Sequence, residues 1–179
     1  MVTYRLLTLL PMLALLIFAA AQDLRTRKIR NWLTLCLVIT GLAHSLMSSH
    51  GVTFGDSILG TLAGFGLPLM LFVIGALGGG DVKLLAGVGA WLGASGVIEV
   101  FLAAAIVGMV IVLVQCAATG RLKKLFSNTL VLILNFLHAG ELGVKQVSET
   151  GKACRSVDRP LPYAVPVLVA VLLMVAMNP

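Results

Sequence analysis

Gly78-Gly79-Gly80-Asp81-Val82-Lys83 stands between two long apolar stretches, Ser57 to Leu77 upstream and Leu84 to Gln115 downstream. An aspartate beside a segment of hydrocarbon length is expensive to desolvate, so it marks a functional site by default. Three glycines before it permit a backbone turn that bulkier residues resist, and they let another chain approach closely. A second acid, Asp23, occupies a similar place after the first apolar stretch. The reading of these two positions organises the rest of the chain.

The 179 residues are 59% hydrophobic and 11% charged. A soluble domain carries about 25% charged residues, so the composition is that of a polytopic membrane protein. The length suits one domain, and residues 1–179 are read as a single membrane-embedded unit. The net charge of +6 does not point to nucleic acid, because the basic residues fall where a membrane topology puts them. Cys36, Cys116 and Cys154 have no metal-ligand or redox spacing, and no disulfide is expected. His44, His50 and His138 are scattered, so neither a metal nor a cofactor is expected.

The apolar pattern gives an all-α fold. Helices are expected over Arg5–Gln22, Trp32–Met47 and Ser57–Leu77. From Val82 to Thr119 only Lys83 and Glu99 are charged. That stretch would make about 57 Å of helix, close to twice a hydrocarbon core of about 30 Å. It is read as two spans joined by a tight turn near Gly93-Ala94-Ser95-Gly96. In Arg121–Glu141, Leu122, Leu125, Phe126, Thr129, Leu130, Ile133 and Leu137 fall on one face behind a basic start, the pattern of a helix lying in the interface. Gly140–Arg159 reads as a polar loop and Pro160–Met177 as the last helix. The expectation is therefore about six transmembrane helices plus one cytoplasmic interfacial amphipathic helix.

Charge fixes the orientation of that arrangement. Six spans place Arg25, Arg27, Lys28, Arg30, Lys83 and every basic residue from Arg121 to Arg159 on one side, twelve of the thirteen in the chain. Only Arg5 lies on the other. The positive-inside rule makes the crowded side cytoplasmic and puts both termini outside. A seventh span through Leu130–Leu137 would carry Lys145, Lys152, Arg155 and Arg159 outside, which the rule disfavours. A cleaved N-terminal signal, suggested by Arg5 and Ala19-Ala20-Ala21, would put the following basic cluster outside as well.

In this topology Asp23 and Asp81 share one depth, at the cytoplasmic edge. Taken singly, Asp23 reads as a solvated residue at a helix end and Asp81 as a helix N-cap. Taken together they make a carboxylate pair. Two carboxylates brought together near a low-dielectric boundary do not both ionise easily, so one keeps its proton. The ionised partner then takes a proton from water and the protonated one donates to a carbonyl oxygen, the division of labour of aspartic proteases.

These residues also carry a family resemblance. Gly78-Gly79-Gly80-Asp81 matches the GxGD signature of membrane aspartyl proteases, and with Val82-Lys83-Leu84-Leu85 it resembles the prepilin peptidases. Asp23-Leu24-Arg25-Thr26-Arg27-Lys28-Ile29-Arg30-Asn31-Trp32 resembles that family's other motif, with Arg30 where the family has proline. Leu161-Pro162-Tyr163-Ala164 is similar to the proline-aromatic lead-in to the family's last helix. The resemblance implies catalysis by Asp23 and Asp81, with Gly78, Gly80, Lys83 and Asn31 as supporting motif residues and no metal. It implies prepilin or pseudopilin substrates, contact with membrane lipids and with pilus assembly machinery, and no nucleic acid. The short chain without CxxC pairs resembles the branch that processes Flp-type pilins for tight-adherence secretion, which implies a peptidase without N-methyltransferase activity.

The rival from another class is a small transporter or channel subunit that uses Asp23 and Asp81 for protons or cations. A transporter favours carboxylates near the bilayer midplane and internal repeats. Both acids here sit at a boundary, and no repeat is evident. The smaller features read structurally. Lys83 snorkels to the interface or tunes Asp81. Gly87, Gly89 and Gly93 allow close helix packing. Asp56 and Glu99 are outer-side residues, and Trp32 and Trp91 are interface or packing aromatics.

Overall fold

The structure is a computed structural model that describes residues 2–47, 52–73, 77–120 and 162–177, with the single positions 127, 129 and 131. Five helices are bounded within the described residues, which hold no strand: α1 (Val2–Thr26), α2 (Asn31–Met47), α3 (Phe54–Val73), α4 (Gly79–Ala118) and α5 (Ala164–Met177). Apart from positions 127, 129 and 131, the expected interfacial helix at Arg121–Glu141 lies outside the described residues, as does the polar loop at Gly140–Arg159.

Among the described residues, three segments are long and apolar enough to cross a membrane: Thr8–Thr26, Phe54–Val73 and Gly79–Ala118. Their surfaces agree with that reading. Ile17, Leu24, Leu59, Leu62, Met70, Leu102 and Ile106 are all exposed apolar side chains. In water that much exposed apolar area would drive association, whereas lipid solvates it.

α4 is not one straight rod. Gly93 has φ 72° and ψ −176°, a non-helical residue inside the run. A Cβ added to Gly64 of α3 would touch both the Leu85 carbonyl oxygen and Val97 Cγ2, each within 3.0 Å of that one point. In a straight helix residues 85 and 97 would stand roughly 18 Å apart along the axis. The chain therefore folds back on itself at Gly93, where the length argument from the sequence put a turn. Asp56 stabilises the restart, because the Ala94 N–H donates to its Oδ1 at 3.3 Å. The structural role expected for Asp56 is this cap.

The seam between α3 and α4 is built from small residues. A Cβ on Gly60 would collide with the carbonyl of Gly89, and one on Gly89 with the carbonyl of Gly60. Nearby, the buried Ser57 hydroxyl donates to the Ala90 carbonyl. Backbones packed this closely gain dispersion contacts that lipid-facing leucines cannot supply. α2 closes the other side of the first half of α4. Trp91 is buried, stacks on His44 at 4.8 Å and donates its indole N–H to the Leu37 carbonyl at 3.0 Å.

Two of the helix boundaries that differ from the sequence reading have a clear local reason. α1 runs on past Gln22 to Thr26, so Asp23 lies inside its last turn. The end comes at Arg27, which takes φ 53° and donates its N–H to the Asp23 carbonyl at 2.8 Å. This is a left-handed cap made by a residue other than glycine, aided by Thr26 Oγ1, which donates to the Gln22 carbonyl at 2.9 Å. α3 begins at Phe54 because Thr53 caps it: its Oγ1 accepts the Asp56 N–H at 3.3 Å.

Candidate active site

Three helix ends meet around the two acids. Asp23 is in the last turn of α1 and Asp81 in the first turn of α4, so both lie close to a helix terminus. The start of α5 completes the group. Asp23 is only 5% exposed, and its Oδ2 accepts the backbone N–H of Ala164 at 3.1 Å. That N–H is one of the first in α5 and has no carbonyl partner within the helix, so a carboxylate is the acceptor a helix N-terminus favours.

Asp81 is held by its own turn. Its Oδ2 accepts the N–H of Gly78 at 3.2 Å, while its N–H donates to the Gly78 carbonyl at 3.1 Å. A Cβ on Gly78 would lie 2.9 Å from that same Oδ2, so a larger residue there would crowd the carboxylate. The carboxyls of Asp81 and Asp23 lie within electrostatic reach of each other, and Arg27 lies within reach of Asp23. Each carboxyl thus commits one oxygen, Oδ2, to a backbone N–H. No described residue hydrogen-bonds the Oδ1 of either acid.

The supporting residues picked from the sequence come together as well. Lys83 Nζ donates to Asn31 Oδ1 at 3.0 Å, across 52 positions of sequence. A Cβ on Gly80 would lie 3.3 Å from Ile29 Cβ, so the bare glycine makes room for the loop after α1. Both contacts join the Asp23 loop to the Asp81 turn. Arg30, at the position of the family's proline, is exposed, and its carbonyl accepts the Leu33 N–H at 3.1 Å as α2 starts.

The sequence did not single out Tyr163 and Ala164 as site residues. Ala164 contributes a backbone amide, which no side-chain pattern reveals; the signal available was the Pro162-Tyr163 pair before an apolar helix. Tyr163 packs against the core, and burial together with the Asp81 carboxylate pushes its phenol up to about 12. It therefore stays protonated, as a neutral hydroxyl beside the acid pair.

Residues 10–113 match the Type IV leader peptidase family. The chain belongs to that family. The matched region contains Asp23, Asn31, Gly78, Gly80, Asp81 and Lys83, and it stops short of Tyr163 and Ala164. The chain is 36% identical over 111 residues to the prepilin leader peptidase/N-methyltransferase of Pectobacterium carotovorum subsp. carotovorum, covering 58% of this chain and 39% of that protein. It is 39% identical over 90 residues to the protein of the same name from Klebsiella pneumoniae, covering 46% and 39%. It is 34% identical over 79 residues to the preflagellin peptidase of Methanococcus maripaludis, covering 42% and 34%. The chain spans about two fifths of the length of the curated relatives it matches. No solved structure matches it.

Proposed function

We propose that this chain is a membrane aspartyl endopeptidase that removes the short cytoplasmic leader from prepilins or pseudopilins, with Asp23 and Asp81 as its catalytic pair. The observation that carries the reading is the meeting of those two acids, 58 positions apart in sequence, each with one oxygen held by a backbone N–H. The ionised carboxylate takes a proton from a water molecule. The water oxygen bonds to the peptide carbonyl carbon, and the protonated partner donates to the carbonyl oxygen. As the tetrahedral carbon collapses, the C–N bond breaks and a proton passes to the leaving nitrogen. No metal or nucleophilic side chain takes part.

The topology that fits is six spans, counting α4 as two about Gly93, with the acid pair at the cytoplasmic boundary and both termini periplasmic. The twelve-to-one division of basic residues supports it. A helix hides its peptide carbonyls in internal hydrogen bonds. The bond cut therefore lies in extended chain just before the substrate's apolar helix, where the flanking leader is basic. Within the family we assign the chain to Flp-type pilins of tight-adherence secretion. Residues 27–30 alone join α1 to α2, so this connection holds no cysteine-rich insertion.

Co-expression with candidate pilin precursors, followed by mass spectrometry of the new N-terminus, tests the reading. Wild type should trim the precursor beside its apolar helix, whereas Asp23→Asn and Asp81→Asn should insert and leave it whole. Near-normal trimming by either variant would sink the mechanism. A cut in the middle of the apolar helix would sink the proposed depth, and a reporter at Pro179 that reads as cytoplasmic would sink the topology.

A further inference from the structure

Gln22 stands one residue before Asp23, and the side-chain oxygen Oε1 of this glutamine is buried without a hydrogen-bond partner. It is the only buried side-chain nitrogen or oxygen in that condition among the described residues. An amide oxygen shut away from water without a donor has lost its hydrogen bonds to water and gained none in return. Nearly all buried polar groups in folded proteins find a partner, so this one calls for an explanation. Thr26 does not supply it, because its hydroxyl bonds the Gln22 backbone carbonyl rather than the side chain.

The position suggests what is missing. Met12, Leu16, Ala19 and Asp23 form one buried stripe along α1. At about 100° per residue, Gln22 borders that stripe one step from Asp23. An extended substrate segment brought to Asp23 carries backbone N–H groups with no partner of their own, in surroundings with little water. A peptide N–H is a donor, and Gln22 Oε1 is an acceptor with nothing to accept.

We propose that Gln22 is a substrate-binding residue whose Oε1 accepts one backbone N–H of the extended segment beside the scissile bond. The inference rests on the peptidase reading above and adds a contact which that reading does not require. Its ligand is a peptide main chain, so Gln22 would help seat many leader sequences while selecting for none.

The test uses the full chain in lipid nanodiscs. The probe is a synthetic precursor with a basic leader, an extended junction and an apolar helix of about 20 residues. In a companion set, each junction amide other than the scissile one is replaced in turn by an ester, which removes a single N–H. For wild type, one ester should lower kcat/KM by about tenfold, the upper range for one hydrogen bond, and the others should change it little. Gln22→Met should lower kcat/KM on the all-amide probe by a similar factor, and the ester that hurts wild type should cost it nothing further. Its thermal midpoint should equal or exceed that of wild type, since an unpaired buried acceptor has gone.

Wild type indifferent to every ester would overturn the assignment whether or not the variant folds. So would Gln22→Met cleaving as wild type does. A fall in both midpoint and cleavage, with the ester effect intact, would assign Gln22 to the fold and overturn the proposal. If wild type cuts no precursor at all, the peptidase reading fails and the Gln22 assignment fails with it. Cutting by wild type with Gln22→Met unimpaired removes the assignment alone.

Discussion

Asp23 Oδ2 accepts the backbone N–H of Ala164 at 3.1 Å, across 141 positions of sequence. The bond ties the last turn of the first helix to the first turn of the last one. It also fixes which oxygen of Asp23 is occupied. Asp81 repeats the pattern with the Gly78 N–H, so main chain orients both carboxyls. Orientation by backbone suits a reacting pair, because it fixes each carboxyl without adding a third titrating group.

This bond separates chemistry from folding in a mutational series. Asp23→Asn keeps an oxygen for Ala164 and loses the ionisable group. We expect it to insert and unfold like wild type while cleavage falls by about 10²–10⁴, the usual range for acid–base catalysis. Asp23→Leu leaves the Ala164 N–H without its partner and should cost a further 1–3 kcal/mol or so in stability. Thermal unfolding in detergent, read beside cleavage, checks both. Equal stability of the two variants would show that the Ala164 bond contributes nothing.

Tyr163 gives the pH dependence its alkaline arm. Its phenol has an ordinary value of 10.0 and is pushed up to about 12 by burial and by Asp81. The folded state therefore holds this proton more tightly than the unfolded state. The sign follows: the contribution to stability is full below about 10 and is lost as pH rises to about 12. Tyr163→Phe, which has no proton to lose, should flatten the fall of thermal midpoint across that window. An unchanged slope would place the phenol in water, away from Asp81.

Much of this arrangement was legible in the sequence. Asp23 and Asp81 stood out because acids beside apolar spans are costly. The fold-back at Gly93 followed from length alone, since one helix over Val82–Thr119 would be nearly twice too long. Other features had no letter to announce them. Ala164 acts through its amide, which every residue but proline has. Arg27 ends α1 in a left-handed conformation for which glycine is the usual signal, so the helix ran four residues past its expected end. Thr53 and Asp56 did carry a capping pattern, three apart, which the hydrophobic run starting at Ser57 obscured. Gln22 looked like the polar end of a span, and its isolation depends on what packs around it.

The turn in α4 should be intolerant of a side chain. Gly93, at φ 72° and ψ −176°, is in a region that is essentially restricted to glycine, and a Cβ there would strike the Asp56 carboxylate. Gly93→Ala should cost at least about 1–3 kcal/mol from backbone strain alone. Asp56→Ala, which removes only the cap on Ala94, should cost about 1 kcal/mol. Thermal unfolding measures both. A Gly93→Ala protein as stable as wild type would mean that α4 does not turn at this residue.

Lys83 and Asn31 offer a test of how the two motifs are joined. The Lys83 ammonium bonds the Asn31 side chain at 3.0 Å, and both residues are exposed at the mouth of the site. One way for Lys83 to matter is by charge, acting on Asp81 two residues away. The other is by holding the Asp23 loop against the Asp81 turn through Asn31. The two differ in a double-mutant cycle. If charge is the role, Lys83→Met should cost the same with Asn31 present or replaced by leucine. If the link is the role, each single variant should lower kcat by about two- to tenfold, as for one hydrogen bond, and the double variant should be little worse than either. The geometry favours the second outcome, because Asn31 supplies the lysine's acceptor and Ile29, two residues earlier, packs on Gly80 beside it. Additive losses in kcat would reject the link and return Lys83 to the electrostatic role.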